Sequence, residues 1–446
     1  MRASLLELDP GTFRVRTRDG ALTLGDIAAA ARALAPNLPD PAVAPVVEIP
    51  AREPVALLTH LEAAFLRGIV PVPSARAKVA SALPVTPDLP GAELALYTSG
   101  STGSPRLPAF AFPALVRAAR RIAGYLGLLR DDEIALLQPL DHGFGLVGQL
   151  FAAIAGGAAV VDCSSPYPDE RAESVANAQA TVVAAVPHTL QELAEHLPEI
   201  DPAAAHHLRS VGSAGGRLPP ALARRLALAF PEAVIWNQYG CTEAGPRLCA
   251  VPSSHVAFYT GTVGRAIDGV LLWVADARGE LEPAGRPGEI CFASDTQMLG
   301  YLGDPAATAR QRRHLGDALG FTTGDVGLLD ADDRLHVLGR ADDLVKVRGE
   351  RVSLELLARA AEAAGARAAI ALLAEGDVEA ADGILTLVYE GPEELTAGAL
   401  AKTLGPGQRM LPRRMLWVVA LPRLPSGKID RAGVELLASL ALEGQA

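Results

Sequence analysis

Apolar runs rich in β-branched residues alternate with alanine-rich stretches of helical spacing through the first half of the chain. Residues 181–186 are such a run and 190–197 follow with helical periodicity. Residues 218–230 are helical in spacing and lead into a strand-like run at 233–236. That alternation predicts an α/β layer architecture with largely parallel strands. Pro219 and Pro220 suit the first turn of the helix after the glycine-rich stretch 212–216. Residues 94–96 read as a short strand, residues 115–129 as an amphipathic stretch, and the Pro/Ala-rich residues 35–54 as irregular surface structure. Beyond about residue 260 the runs shorten, at 270–275, 288–292 and 334–338, which predicts a β-rich subdomain. Asp330-Ala331-Asp332-Asp333 reads as a tight turn joining 326–329 to 335–338 in a hairpin. Past residue 340 a helix at 354–364 and strands at 368–373, 384–389 and 416–419 predict a small α+β domain.

The expected organisation is a large N-terminal domain at 1–339, of mostly parallel sheets flanked by helices, with its β-rich subdomain at about 260–339. A C-terminal α+β domain follows at 340–446. A chain of 446 residues is too long for one ordinary core, and 50% hydrophobic residues are enough to build several. The net charge of −11 argues against a nucleic-acid surface and leaves any anionic ligand dependent on a local positive site. The cysteines, Cys163, Cys241, Cys249 and Cys291, form no CxxC pair, and the N-terminus has no charged region followed by an apolar core, so a reducing cytoplasm is expected. Residues 146–161 are largely apolar but rich in Ala and Gly, include Gln149, and fall short of a membrane span.

The strongest chemical signal is Thr98-Ser99-Gly100-Ser101-Thr102-Gly103-Ser104-Pro105-Arg106. Its hydroxyls can donate to phosphate oxygens, and Gly100 and Gly103 let backbone N–H groups approach an anion closely. A Ser/Gly linker has the same composition, but a linker is out of place between an apolar strand and an amphipathic stretch. The loop is not Gly-x-x-x-x-Gly-Lys-Ser/Thr.

This loop resembles the phosphate-binding signature of the adenylate-forming enzymes: acyl-CoA synthetases, aryl-acid ligases, luciferases and nonribosomal adenylation domains. Four further segments match that family in order. They are Asn237-Gln238-Tyr239-Gly240-Cys241-Thr242-Glu243, Thr323-Gly324-Asp325, the stretch from Gly339-Arg340 to Gly349-Glu350-Arg351, and Leu421-Pro422-Arg423-Leu424-Pro425-Ser426-Gly427-Lys428. The resemblance implies ATP and Mg²⁺ as partners of the loop, a carboxylic acid as substrate, and a thiol acceptor, either CoA or the phosphopantetheine of a carrier protein. It also implies that the C-terminal domain is mobile. On these positions Lys428 would bridge carboxylate and phosphate, Glu243 would hold Mg²⁺, and Thr242 would contact the α-phosphate. Tyr239 would stack on adenine and Asp325 would accept from the ribose hydroxyls. Arg340 and Arg351 would contact ribose and phosphate, and Gly349 would let pantetheine pass. Read without the family, these same residues fit a solvated lysine, a helix cap, a half-buried tyrosine, a turn aspartate and surface salt bridges.

Several positions depart from the family pattern. Arg106 stands where the family usually has lysine, which keeps the charge but changes its shape. The phosphate loop begins at Thr98, much earlier than in typical acyl-CoA synthetases, so the front is expected to be trimmed, as in short stand-alone aryl- and acyl-acid ligases. In Asp141-His142-Gly143-Phe144-Gly145, Gly143 aligns with the aspartate that holds an α-ammonium in amino-acid-activating relatives, which argues against an amino-acid substrate unless Asp141 substitutes. His142 would gate the passage between acid and thiol, and residues 186–188 and 212–216 are pocket-wall candidates. Only 18 residues follow Lys428, so the thiol donor is expected to be separate: CoA or a free-standing carrier protein. An aryl acid such as a hydroxybenzoate is the first expectation and an aliphatic acid the second. A degenerate nucleotide-binding member without turnover is the reading from a different class.

Overall fold

The computed structural model describes the chain except for residues 1–2, 9–10, 19, 99–105, 256–257, 259–260, 348–349, 375–383, 405–410, 425–426 and 444–446. It divides into two compact units. The first comprises Met1–Trp273, Cys291–Thr323 and Asp330–Leu335; the second comprises Val274–Ile290, Gly324–Leu329 and His336–Ala446.

The frame of the first unit is a nine-stranded sheet. Its centre runs parallel, Val234–Tyr239 beside Ser210–Ser213, Val182–Ala185, Glu133–Leu136, Ala159–Asp162 and Arg14–Thr17. Antiparallel strands close its two ends, Cys249–Pro252 and Arg265–Ala266 at one and Gly20–Thr23 at the other. The central strands are short and apolar because helices cover them. Pro168–Asn177, Pro187–Ile200 and Pro220–Ala229 each open on proline, whose fixed φ and missing N–H suit a first helical turn. Leu190, Leu193, Leu197, Val183, Val211, Leu226 and Phe230 form the core between them. Parallel strands deliver their C-terminal ends to one edge, so Val186, Ala214 and the segment after Tyr239 emerge side by side, the usual place for a ligand crevice in such sheets.

Residues 35–54 correct the expectation of irregular surface structure. Val46–Pro50 is a strand with Val46, Val47 and Ile49 fully buried, paired in parallel with Val70–Ser74. The prolines around it masked the signal. Pro71 and Pro73 are tolerated because Val70–Ser74 lies at the edge of its three-stranded sheet. A second small sheet joins Leu94–Ala95, Pro108–Phe110 and Gly300–Tyr301. The amphipathic stretch after residues 98–106 is the helix Phe112–Leu126, stopped by Gly127 in the left-handed conformation.

The β-rich region contains Val270–Ala275, Gly288–Ser294, Arg312–Leu315, Ala318–Leu329 and Leu335–Arg340 in one sheet. The predicted turn forms at its expected place: Asp330 Oδ1 accepts from the N–H groups of Asp332 and Arg334, and Asp333 takes a φ of 58°. Within the second unit, the ribbon Leu344–Val347 and Glu350–Ser353 leads into the helix Leu354–Ala363. The strands Ala368–Ala374, Ile384–Glu390 and Arg414–Val418 form its sheet, over a core that includes Leu357, Ala361, Leu387 and Tyr389. No helix among the described residues is long and apolar enough to cross a membrane. None of the four cysteines is in a disulfide, and only Cys241 is not buried.

Candidate active site

Ser99, Gly100, Ser101, Thr102 and Gly103, the positions expected to meet phosphate, lie outside the described residues. Both ends of the loop are described and they clasp each other. The Thr98 N–H donates to the Arg106 carbonyl at 3.0 Å, and the Arg106 N–H donates to Thr98 Oγ1 at 3.2 Å. The clasp extends the pairing of Leu94–Ala95 with Pro108–Phe110. The third strand of that sheet carries Tyr301, and the Arg106 guanidinium stands 5.4 Å from the centroid of its ring.

Tyr301 connects the loop to the acidic segment. Its hydroxyl donates to Glu243 Oε1 at 2.8 Å. Burial first, then the Glu243 carboxylate, push the phenol far above its ordinary pKa, so it remains a donor at any physiological pH. Glu243 lies in the 3₁₀ turn Thr242–Ala244, directly after strand Val234–Tyr239. Glycines on both sides permit that turn. A Cβ at Gly240 would stand 2.1 Å from the Pro246 carbonyl, and one at Gly245, where φ is 70°, would stand 2.6 Å from the Thr296 carbonyl. The turn is also tied to the neighbouring loop, where the Met298 N–H donates to the Glu243 carbonyl and Thr296 Oγ1 to the Ala244 carbonyl. With one carboxylate oxygen held by a phenol, Glu243 fits Mg²⁺. That ion takes one or two carboxylates and completes its shell with phosphate oxygens and water.

Gly143 packs against this segment. A Cβ there would lie 3.3 Å from Pro246 Cβ and 3.6 Å from Thr242 Cγ2, so the aligned position has no room for an aspartate without movement of Pro246. The Asp141 carboxylate accepts from the Ala75 N–H at 3.0 Å, and His142 Nε2 lies 3.8 Å from its other oxygen. Thr98, Arg106, Thr242 and Glu243 are therefore linked through Tyr301 and Gly143, with Tyr239 two peptide bonds from the Cys241 that opens the turn.

The second unit holds the remaining positions. Asp325 and Arg340 form an ion pair of 3.1 Å. Lys428 lies beside both and keeps an exposed side chain; partial loss of hydration lowers its pKa from the usual lysine range, the Arg340 guanidinium pushes the same way, and the Asp325 carboxylate opposes. The Lys428 loop is closed by backbone bonds, Leu424 N–H to the Lys428 carbonyl and Gly427 N–H to the Leu424 carbonyl, each 2.8 Å. Arg423 anchors it by donating to Glu390 Oε1 at 2.9 Å, while Glu390 Oε2 accepts from the Leu421 N–H at 2.7 Å. Arg351 is described only as backbone of Glu350–Ser353, and Gly349 lies outside the described residues.

Tyr301, Arg423, Glu390, Gln238 and Arg247 were not identified as functional from sequence. Arg423 and Gln238 stand inside matched segments, so neighbourhood could have flagged them. Tyr301 and Glu390 depend on pairings of distant strands and carry no local signal. Arg247 offered one: a charged residue four positions past Glu243 in the otherwise apolar stretch Leu248-Cys249-Ala250-Val251.

Residues 40–302 match the family model for AMP-binding enzymes. 4-Coumarate–CoA ligase 1 of Solanum tuberosum is 29% identical over 348 residues, 75% of this chain and 63% of its own length. Pyochelin synthetase PchF of Pseudomonas aeruginosa is 34% identical over 284 residues, 60% of this chain and 16% of its own length. The chain thus spans less than two thirds of the length of these relatives. ATP-bound MatB from Rhodopseudomonas palustris shares the fold with a TM-score of 0.79 at 20% identity, over 98% of this chain and 99% of that one. NpsA from Klebsiella oxytoca, in complex with 3-hydroxyanthranilyl-AMSN, does so with a TM-score of 0.79 at 19% identity, over 99% of this chain and 100% of that one.

Proposed function

Because the chain belongs to the AMP-binding enzyme family, we propose that it is an AMP-forming acid–thiol ligase, activating a carboxylic acid with ATP and passing the acyl group to a phosphopantetheine thiol. A carboxylate oxygen attacks the α-phosphorus, and the bond from that phosphorus to the bridging oxygen breaks to release pyrophosphate. The thiol sulfur then attacks the activated carbonyl, the thiol proton passes to solvent, and AMP leaves with the electrons of the carbon–oxygen bond. The observation that carries this reading is the line from the clasped residues Thr98 and Arg106, through Tyr301, to Glu243: a cation, a phenol donor and a carboxylate suited to a metal ion.

Bound Mg²⁺ would neutralise phosphate charge. The residues do the remaining work. Tyr301 fixes the carboxylate of Glu243, Thr242 donates to the α-phosphate, and the Arg106 guanidinium meets phosphate oxygens. Lys428 supplies an ammonium where charge collects on phosphorus, Asp325 accepts from ribose, and Arg340 and Arg351 bind ribose and phosphate. Tyr239 stacks on adenine, His142 gates the passage for the thiol, and Gly349 lets pantetheine approach. Relatives named 4-coumarate–CoA ligase favour an aryl acid over an aliphatic one. CoA and a free-standing carrier protein are the two acceptors, and four cysteines in no disulfide suit a reducing cytoplasm.

Acid-dependent exchange of labelled pyrophosphate into ATP tests the reading, followed by mass spectrometry with CoA and with a holo carrier protein. Exchange with at least one acid and a thioester product is expected. Folded protein that exchanges with none of a broad panel of aryl, aliphatic and amino acids would instead be a nucleotide-binding member without turnover.

A further inference from the structure

Arg247 is 4% exposed, and among the described residues no carboxylate pairs with it. Its Nε donates to Gln238 Oε1 at 3.1 Å and its Nη1 reaches the Pro246 carbonyl at 3.4 Å. The guanidinium lies over the Phe144 ring, 4.6 Å from the centroid. Gln238 is 3% exposed, and because its oxygen accepts from Arg247 its Nε2 is a donor, buried with no protein partner. The Tyr125 hydroxyl, the titratable group facing the guanidinium, is buried against it. A buried guanidinium among neutral groups is costly unless an anion joins it, and the unsatisfied Gln238 donor beside it points the same way. Loss of hydration already pulls its pKa down.

Arg247 and Gln238 lie against two glycines of neighbouring elements. A Cβ at Gly148 would come 3.1 Å from its Nη2, and one at Gly212 would come 3.4 Å from Gln238 Nε2. Thr242, by contrast, packs against Gly143. Gly143 and Gly148 lie on one helical stretch, residues 143–156, so Arg247 is roughly 7 Å farther along it than Thr242 at about 1.5 Å per residue.

We propose that Arg247, with Gln238 and Tyr125, binds a second carboxylate of the acid, and that the substrate is a dicarboxylic acid whose far carboxylate reaches this cluster while the near one is adenylated. The proposal rests on the ligase reading above.

Matched acids differing only in the far carboxylate separate the two: terephthalate against benzoate, and adipate against hexanoate, in pyrophosphate exchange with wild type and Arg247→Met. Methionine removes a buried charge without leaving a cavity, so the variant is expected to fold, checked by its melting temperature. The expected result is a dicarboxylate preference in kcat/KM of at least about tenfold in wild type, reversed or abolished in Arg247→Met, corresponding to loss of one charged contact. A monocarboxylate or hydroxybenzoate used as well as its dicarboxylate partner in wild type overturns the substrate inference and leaves the ligase reading standing, as does a preference that survives Arg247→Met. No exchange with any acid removes the ligase reading itself, and the substrate inference falls with it.

Discussion

Tyr301 and Glu243, 58 positions apart in sequence, share a 2.8 Å hydrogen bond that sets the orientation of the carboxylate proposed to hold Mg²⁺. Hydrogen bonds to charged groups contribute about 1.5–3 kcal/mol, so Tyr301→Phe should lower the adenylation rate by about tenfold to a hundredfold. The loss should be smaller at saturating Mg²⁺, because the carboxylate is still present but less well aimed. Pyrophosphate release measured against Mg²⁺ concentration checks this; an unchanged Mg²⁺ dependence means that the bond is merely structural.

Arg106 offers a related test. Its planar guanidinium lies over the Tyr301 ring, and an ammonium cannot reproduce that stacking, although lysine is the residue more usual at this place in the resembling family. Arg106→Lys should change the pyrophosphate-release rate only several-fold, since the charge remains, whereas Arg106→Ala should lower it by about a hundredfold. A collapse of activity in the lysine variant would show that the guanidinium fork itself is required.

The sequence made the layer architecture legible because the central strands are continuous apolar runs and the helices beside them open on proline. Val182–Ala185, Val234–Tyr239 and Pro220–Ala229 all fall close to the expected ranges. Strand Val46–Pro50 was not legible, because its pairing with Val70–Ser74 is a long-range event and the flanking prolines imitate a loop. The candidate site divides the same way. Thr98, Thr242, Glu243, Asp325 and Lys428 sit in contiguous motifs, whereas Tyr301 reaches Glu243 only through the pairing of Gly300–Tyr301 with Pro108–Phe110. The burial of Arg247 without an acid is a property of packing that no local pattern encodes.

The Arg423–Glu390 pair should act as the brace of the Lys428 loop. Both side chains are largely buried, and Glu390 also accepts from the Leu421 N–H, so removing either partner leaves the other charge poorly compensated. Arg423→Ala and Glu390→Ala should each destabilise the second unit by about 2–4 kcal/mol, and the double variant should cost less than the sum. Denaturant unfolding measures the stability, and kcat for adenylation should fall in the single variants with KM for ATP little changed. Additive stability losses would show that the two residues act independently.

Lys428 supplies the sharpest pH signature. The proposed role needs the ammonium, and its pKa lies below the ordinary lysine value of about 10.4. The charged form is therefore lost as pH rises through that lowered value, and the alkaline limb of the adenylation rate should fall earlier than for a solvated lysine. The same shift makes the unfolded chain bind more protons than the native one in that window, so this group's contribution to stability grows as pH rises through it. Asp325 opposes the shift, so Asp325→Asn should move the limb to still lower pH. Lys428→Arg, which stays charged throughout, should abolish the limb at a reduced maximal rate. Lys428→Ala should slow adenylation by about a hundredfold to a thousandfold while sparing thioester formation from presented acyl-adenylate. Rate profiles of pyrophosphate release from pH 7 to about 10 decide the matter. A limb at the same position in wild type, Asp325→Asn and Lys428→Arg would assign it to another group and remove Lys428 from the first half-reaction.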